Sequence, residues 1–173
     1  MNIIVAANSD WGIGLGGTQQ IILHEDRRHF REITGNGAVI AGRKTFEDFP
    51  GGKPLPNRKN VVLTRSSDFQ VDGAVIVHST AELFSEISGD DPDKVFVIGG
   101  GSIYNLLLPF CACAYVTRID AAPPSDTFFP DLDSMPNWSV ESKSESQKSG
   151  KVRYSFELYK NIAPKSIEEV IHV

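Results

Sequence analysis

The stretch KVFVIGGGSIYNLLL, residues 94–108, joins an apolar run to a glycine turn and a helical pattern. Its apolar run at 95–98 is typical of a strand that is buried on both faces of a parallel sheet. Glycines at 99–101 end the strand, and the residues from Ile103 onward predict a helix. A helix that directly follows such a strand carries the chain to the next parallel strand, so the stretch predicts an α/β fold.

The alternation of strand and helix extends along the chain in both directions. Periodicity predicts strands near 2–8, 37–41, 59–64, 73–77, 93–98 and 113–120, and helices near 24–34, 43–49, 80–87 and 101–108. Alternating apolar and polar residues predict a final antiparallel edge hairpin near 138–146 and 151–160. We therefore expect a single domain over 1–160, with a mostly parallel central sheet, helices on both faces and a C-terminal antiparallel hairpin, followed by a tail at 161–173.

Composition limits the function classes. A chain of 173 residues with 40% hydrophobic content can bury the core of one domain. No apolar run is long enough to cross a membrane and no basic leader begins the chain, which predicts a cytoplasmic protein. The net charge of −5 argues against nucleic-acid binding. Cys111 and Cys113 lack the second cysteine pair of a zinc site, so we expect buried thiols and no metal.

Basic residues cluster between positions 43 and 65, although the chain as a whole is acidic. The segment contains Glu47, Asp48 and the cations Arg43, Lys44, Lys53, Arg58, Lys59 and Arg65. Such a cluster is either a solvated surface or the binding region for a small polyanion.

Three glycine-rich segments lie at predicted strand ends. Gly12–Gly17 matches the dinucleotide-binding pattern G-x-G-x-x-G, but no helix follows it, which favours a mobile flap. Gly42–Thr45 and Gly99–Ser102 each join a strand to a helix, where unpaired backbone N–H groups attract anions. Two such turns on neighbouring strands would suit a dinucleotide pyrophosphate, and ordinary turns with surface cations are the alternative.

Asp26 lies near the start of a predicted helix whose apolar face carries Phe30 and Ile33. A carboxylate on an apolar face usually has a function or a hidden partner, because burying it unpaired costs several kcal/mol. The alternative is a residue that caps the helix.

In this order, the motifs resemble the dihydrofolate reductase family over about residues 1–160. The matching segments are Ile4–Ala7, Gly12–Gly14, Asp26 with Phe30 and Thr34, Gly42–Thr45, Pro54–Asn60, Ile98–Tyr104, Thr117–Asp120 and Asp126–Pro130. The resemblance implies that NADPH reduces dihydrofolate to tetrahydrofolate, by hydride transfer to C6 and protonation of N5. It also implies a monomer that binds dihydrofolate and antifolate inhibitors.

For the substrate, the resemblance implies that Asp26 anchors the pterin with support from Thr117, and that Arg58 pairs with the carboxylate of the glutamyl tail. Asp26 and Thr117 are the implied catalytic residues. Asp26 would fix the ring's tautomer while water under the flap protonates N5. The other implied substrate contacts are Val5, Ala6, Ile21, Arg27, Phe30, Phe49, Leu55 and Ile98.

For the cofactor, the resemblance implies that basic and hydroxyl side chains hold the phosphates, with Arg43 and Arg65 on the 2′-phosphate that distinguishes NADPH from NADH. It also implies a cis peptide at Gly99–Gly100. The implied phosphate contacts are Arg43, Lys44, Thr45, Thr64 and Arg65. The remaining implied contacts are Ala7, Ile13, Gly14, Gly42, Leu63, Gly99, Gly100, Gly101, Ser102, Ile103, Tyr104 and Thr127.

Two positions depart from the family pattern. Gln19-Gln20-Ile21 stands where the family usually has Leu-Pro-Trp, so Ile21 leaves the position of an active-site water and the proton route open. Arg27 occupies a usually apolar position. We hypothesise that Arg27 strengthens binding of the anionic substrate and weakens binding of uncharged antifolates; the alternative is a surface arginine that points to water.

Other functions fit parts of the sequence. A reductase of another pterin or of a riboflavin-pathway pyrimidine would share the glycine-rich segments, although it would have no use for Arg58. A non-catalytic NADPH-binding relative would keep the cofactor segments alone. A partner-binding role for the segment 166–171 would rest on few apolar positions.

Overall fold

A computed structural model describes residues 1–171. The strands are β1 (Asn2–Asn8), β2 (Gly12–Gly14), β3 (Ala38–Gly42), β4 (Lys59–Leu63), β5 (Ala74–Val77), β6 (Val95–Gly99), β7 (Cys113–Ile119), β8 (Thr127–Phe128), β9 (Trp138–Lys143), β10 (Gln147–Ser149) and β11 (Val152–Asn161). The helices are α1 (His24–Thr34), α2 (Arg43–Glu47), α3 (Thr80–Ile87), α4 (Gly101–Leu107) and α5 (Glu168–Ile171). Single 3-10 turns lie at Pro50–Gly52, Pro92–Lys94, Leu108–Phe110 and Leu132–Ser134. Across the described residues, no helix is both long and apolar enough to cross a membrane.

Nine strands form one sheet with the order β10-β11-β7-β1-β6-β3-β4-β5, and β9 pairs with a second part of β11. The strands from β7 to β5 in this order are parallel. By contrast, β11 runs antiparallel to β7, β9 and β10. This architecture confirms the expected α/β class, the mostly parallel central sheet and the C-terminal antiparallel hairpin.

Helices cover both faces of the sheet. Successive residues of a strand point to opposite sides, so a strand that is apolar throughout must be buried on both. Ile40 of β3 belongs to the large apolar cluster that contains Leu83 of α3. The next residue, Ala41, packs with Phe46 of α2 on the other face. Burial on both faces explains why the central strands are continuous apolar runs in the sequence.

The glycine-rich segment near the N-terminus forms a short hairpin, not only a loop. Its strand β2 pairs antiparallel with β8. Leu15 and Thr18 then exchange backbone hydrogen bonds of 3.0 and 3.2 Å across a two-residue turn. Gly16 and Gly17 have φ of 60° and 84°, values that a primed hairpin turn requires and that glycine adopts without strain. We call residues 12–19 the arm.

The C-terminal hairpin contains one more strand than the sequence predicts. β9 ends at Lys143, and the polar connection that follows forms β10, which pairs with the first residues of β11. β11 therefore has a different outer partner along each half of its length.

The residues after the hairpin fold back on the domain. Ile167 and Val170 pack against the main apolar cluster, and the Lys165 amide donates to the Pro109 carbonyl oxygen at 2.9 Å. These two apolar side chains are thus partly buried against the domain. Residues 172 and 173 of the predicted tail lie outside the described residues.

We expect Phe84→Ala to destabilise the protein by about 3–5 kcal/mol, the usual range when a large buried aromatic is truncated. Phe84 is 0% exposed, and its ring centroid lies 4.8 Å from that of Phe110. The free energy of unfolding in urea measures the change. Val140→Ala is the control because Val140 is 47% exposed on β9, and it should shift stability by less than about 0.5 kcal/mol. Equal losses in the two variants would contradict this description of the core.

Candidate active site

A cavity of about 1270 Å³ opens at the carboxyl ends of the parallel strands. The ends of β1, β3, β4 and β6 form its floor, and the arm forms one wall. In parallel sheets this edge is where ligands bind, because strand ends and helix starts meet there. The geometry therefore makes this cavity the first candidate for a binding site.

Most residues that the sequence analysis singles out line this one cavity. From the implied substrate contacts, the lining contains Val5, Ala6, Arg27, Phe49 and Ile98. From the implied cofactor contacts, it contains Ile13, Gly14, Gly42, Arg43, Lys44, Thr45, Leu63, Thr64, Arg65, Gly99, Gly100, Gly101, Ser102, Ile103, Tyr104 and Thr127.

The other singled-out residues lie behind or beside the lining: Ala7, Ile21, Asp26, Phe30, Leu55, Arg58 and Thr117. Ala7 is 1% exposed in the main core. Ile21 packs beside Leu23 in a small apolar cluster, whereas its neighbour Ile22 is 56% exposed and lines the cavity. Where the family usually has a Trp, the side chain that reaches the cavity is therefore Ile22 and not Ile21.

Asp26 is held by a hydrogen bond to the sheet. Thr117 Oγ1 of β7 donates to Asp26 Oδ1 at 2.6 Å. Thr117 pairs in register with Ala6, which lines the cavity, so the carboxylate lies beside the inner end of the cavity. The start of α1 has no side-chain cap, so the capping interpretation of Asp26 does not hold.

Burial is the main influence on the Asp26 carboxyl. It raises the pKa of Asp26 above the ordinary value of 3.8, and the hydrogen bond from Thr117 opposes this shift. The nearby His29 and Arg27 favour the charged form to a smaller extent. Because Thr117 fixes one carboxyl oxygen, the group can exchange hydrogen bonds with a polar ring edge without moving.

Arg58 is fixed close to the same helix. Its Nε donates to Thr34 Oγ1 at 2.8 Å, and its Nη1 donates to the Pro56 carbonyl oxygen at 2.8 Å. The guanidinium carbon lies 5.9 Å from the Phe30 ring centroid. The preceding loop is ordered by Asn60, whose side chain bonds both the N–H and the C=O of Leu55 at 2.9 Å. Arg58 thus presents a preoriented cation at one side of the site.

Glycines open the other end of the cavity to a ligand. A Cβ built on Gly42 would lie 2.9 Å from Ile103, one on Gly100 would lie 3.1 Å from Thr45, and one on Gly101 would lie 2.7 Å from Thr127. A side chain at Gly42 or Gly101 would force the neighbouring side chain to shift, and one at Gly100 would press on Thr45. The lining here also includes the cations Arg43, Lys44 and Arg65. Bare backbone beside clustered cations is the donor set that phosphate groups need, so a dinucleotide fits this end. The Gly99–Gly100 peptide is cis, as the resemblance implies.

The arm is tied to β8 at its tip. The Gly16 amide donates to Asp126 Oδ2 at 2.8 Å, and the Asp126 amide donates to the Gly14 carbonyl oxygen at 3.0 Å. The Gly16 hydrogen bond lowers the pKa of Asp126, which keeps this carboxylate charged. Gly14, Gly16, Gly17, Thr18 and Gln19 line the cavity.

Gly16 and Gly17 of the predicted flap line the cavity. Sequence reasoning missed other parts of the lining: Thr18, Gln19, Ile22, Asp48, His78, Ser79, Thr80, Leu106 and Asp126. The position of His78 in the lining could have been predicted, because His78 directly follows the predicted strand β5. The end of that strand lies beside the end of β4, where Thr64 had been singled out. The structure joins them, since His78 Nδ1 lies 2.9 Å from the Thr64 carbonyl oxygen.

Comparison with known proteins gives one consistent result. Residues 1–161 match the family described as Dihydrofolate reductase. The chain is 38% identical over 135 residues to the dihydrofolate reductase of Bacillus subtilis (strain 168), an alignment that covers 78% of this chain and 77% of that protein. It is also 38% identical over 137 residues to the enzyme of Mycobacterium tuberculosis (strain ATCC 25618 / H37Rv), covering 77% and 81%.

A solved structure shares the fold. The dihydrofolate reductase from Enterococcus faecalis, complexed with NADP(H) and RAB-propyl, superposes with a TM-score of 0.81 at 30% identity. The match covers 92% of this chain and 95% of that one.

The raised pKa of Asp26 makes stability depend on pH in a definite direction. The native state binds this proton more tightly than the unfolded chain, so stability is lost as pH rises from 3.8 through the higher folded-state pKa. We therefore expect Asp26→Asn to raise the melting temperature relative to wild type, by an increment that grows from about pH 4 to neutral pH.

Glu25→Gln is the control for this titration. Hydrogen bonds from its own backbone N–H and from Ser149 lower the pKa of Glu25, so its stabilising contribution is present at high pH and lost as pH falls. The melting temperature of Glu25→Gln should thus fall below that of wild type as pH rises. An Asp26→Asn increment that is constant with pH would show that burial does not perturb the carboxyl.

Proposed function

Because the chain belongs to the dihydrofolate reductase family, we propose that its cavity holds dihydrofolate beside Asp26 and NADPH along the glycine turns. The protein is an NADPH-dependent oxidoreductase that reduces dihydrofolate to tetrahydrofolate, a carrier in one-carbon metabolism. The observation that carries the residue-level proposal is the 2.6 Å hydrogen bond that fixes Asp26 at the inner end of a cavity whose other end is cationic.

At the substrate end, Asp26 accepts hydrogen bonds from the polar edge of the pterin ring. Thr117 fixes the carboxylate, while Val5, Ala6 and Ile98 contact the ring faces. Phe30, Phe49 and Leu55 surround the aminobenzoyl group. Arg58 pairs with a carboxylate of the glutamyl tail, a task that suits a preoriented guanidinium.

At the cofactor end, the bare backbone of Gly42, Gly100 and Gly101 lets the pyrophosphate lie directly on the chain. Arg43 and Arg65 supply charge for the 2′-phosphate. NADPH supplies the hydride when bound, and the protein's contribution is to align the two rings. Ile13, Gly14 and Tyr104 limit the space next to the nicotinamide.

The proton for N5 comes from water that the arm admits, with Asp26 setting the ring's tautomer and charge distribution. Ile21 is withdrawn into its own apolar cluster, and Ile22 takes part in the lining. The side of the cavity where the family has a Trp is therefore aliphatic here. Tyr104, whose hydroxyl donates to the Ile4 carbonyl oxygen at 2.8 Å, keeps its proton because burial raises its pKa.

The proposed function extends to the domain organisation, cellular location and partners of the chain. Residues 1–160 form the catalytic domain, residues 161–173 are an accessory tail, and the protein acts as a cytoplasmic monomer. The net charge of −5 supports a role without nucleic acid. Antifolate inhibitors would compete with dihydrofolate at the Asp26 end.

The direct test is NADPH oxidation in the presence of dihydrofolate, with NADH as the comparison cofactor. We expect turnover with NADPH, weaker turnover with NADH, and a loss of about a hundredfold or more for Asp26→Asn near neutral pH. The turnover of Thr117→Val should lie between those of wild type and Asp26→Asn, because this substitution removes only the hydrogen bond that fixes the carboxylate. Binding of NADPH without its oxidation by dihydrofolate would contradict the substrate assignment and favour another pterin.

Arg27 provides a test of substrate preference. Its exposed side chain lines the cavity, so we expect Arg27→Leu to raise the Michaelis constant for dihydrofolate by about three- to tenfold and to tighten binding of an uncharged diaminopyrimidine inhibitor. Arg28→Leu is the matched control, because Arg28 lies on the same helix, pairs with Glu32 at 3.9 Å and does not line the cavity. Unchanged constants in Arg27→Leu would show that its guanidinium is only solvated.

A further inference from the structure

Two consecutive polar residues of β7, Thr117 and Arg118, point to opposite faces of the sheet. Thr117 faces Asp26 on one side of the sheet. Arg118, the next residue, faces the other side, as the period of a strand requires, and its guanidinium carbon lies 3.7 Å from the ring centroid of Trp11. This close cation–π contact lies outside the cavity lining, and the catalytic residues do not account for it.

Arg118, itself mostly buried, is oriented by a polar network that includes the half-exposed Asp133. Its side chain is 18% exposed, and its Nη2 lies 3.4 Å from both Asp133 Oδ2 and the Ser9 carbonyl oxygen. The Tyr159 hydroxyl, 2.8 Å from Asp133 Oδ1, extends the network to the core. Arg118 Nη1 is buried without a hydrogen-bond partner among the described residues. Within the described part of the chain, the guanidinium therefore leaves one donor unpaired while its carbon lies 3.7 Å from the Trp11 ring centroid, so the stacking contact is a main interaction of this side chain.

Trp11 is the base of the arm. It is 5% exposed, has φ of 65°, and immediately precedes β2. Its ring centroid lies 6.0 Å from that of Phe129 and 5.9 Å from that of Tyr159. Its carbonyl oxygen accepts from the Phe129 amide at 2.9 Å. The ring is thus held on several sides, and Arg118 is its only cationic neighbour among the contacts of the described chain.

We propose that Arg118 is a positioning residue that, by stacking on Trp11, holds the arm over the cofactor end of the cavity. The proposal rests on the proposed function, because it requires that NADPH binds at the end of the cavity that the arm lines. Besides the backbone pairing of β2 with β8, side-chain contacts then restrain the arm at both its tip and its base. The Asp126 hydrogen bond holds its tip, and the Arg118–Trp11 contact holds its base. Loss of the base attachment should let the arm open more often even while its tip remains intact.

The test compares Arg118→Met with Lys143→Met. Lys143 belongs to the same polar network, since its Nζ lies 2.8 Å from Glu157 Oε1 and Glu157 Oε2 lies 3.1 Å from the Tyr159 hydroxyl. Lys143 has no contact with Trp11. A loss of network stability would therefore affect both variants, whereas loss of the Trp11 contact affects only Arg118→Met.

Hydrogen exchange of the Leu15, Gly16 and Thr18 amides in the cofactor-free protein is the first readout. We expect protection to fall by about tenfold in Arg118→Met and to remain unchanged in Lys143→Met. The second readout is the NADPH dissociation rate, which should rise by a similar factor, while the pH dependence of turnover stays that of wild type. Arg118→Lys, which keeps a cation near the ring, should restore part of the protection.

Unchanged arm protection in Arg118→Met, or equal losses in both methionine variants, would overturn the proposal. If Arg118→Met does not fold, Trp11→Leu and Arg118→Lys test the same contact, and wild-type protection in both would overturn it as well. The outcome is separable from the proposed function. A wild type that fails to reduce dihydrofolate would refute the function, while hydrogen exchange of the cofactor-free protein would still decide the role of Arg118.

Discussion

The hydrogen bond from Thr117 Oγ1 to Asp26 Oδ1, at 2.6 Å, is the constraint on which the site depends. A carboxylate on the sheet-facing side of α1 would be costly to bury without a partner. With Thr117 as the partner, the helix is fixed across the sheet and the carboxylate is fixed beside the cavity. The same strand carries Arg118 to the opposite face, where it meets the base of the arm. One strand therefore sets the positions of both Asp26, the proposed substrate anchor, and the arm, which we propose covers the cofactor end.

The parallel sheet explains how distant segments form a single site. Gly42 and Gly100 are far apart in the sequence, but β3 and β6 are neighbours, so the turns after them meet at one edge. That edge is also where α2 and α4 begin, which adds backbone N–H groups to the charge of Arg43. A Cβ at Gly42 would meet Ile103 and one at Gly100 would press on Thr45, so glycine lets the elements around the two turns pack closely. The chemistry is thus concentrated where strand ends and helix starts coincide.

Much of this arrangement could be predicted from the sequence, because continuous apolar runs and glycine turns are local signals. The central strands, α1 and the cavity residues at the two glycine turns follow from such signals. Pairing of β2 with β8 could not be predicted, since both strands are very short and their register shifts between Gly12 and Gly14. The sequence also could not show that Ile22 lines the cavity instead of Ile21. Both residues lie in a loop, where periodicity does not predict which side a side chain faces. The contact between Arg118 and Trp11 is long-range and has no sequence signature.

A crystal structure of the protein with NADP⁺ and folate is the decisive measurement. We expect the pterin edge within about 3 Å of the Asp26 carboxylate, with the Thr117 hydrogen bond retained. We also expect the pyrophosphate against the backbone of Gly42 and Gly100, under a closed arm. A pterin ring that binds elsewhere in the cavity, or that makes no contact with the Asp26 carboxylate, would show that Asp26 is not the substrate anchor.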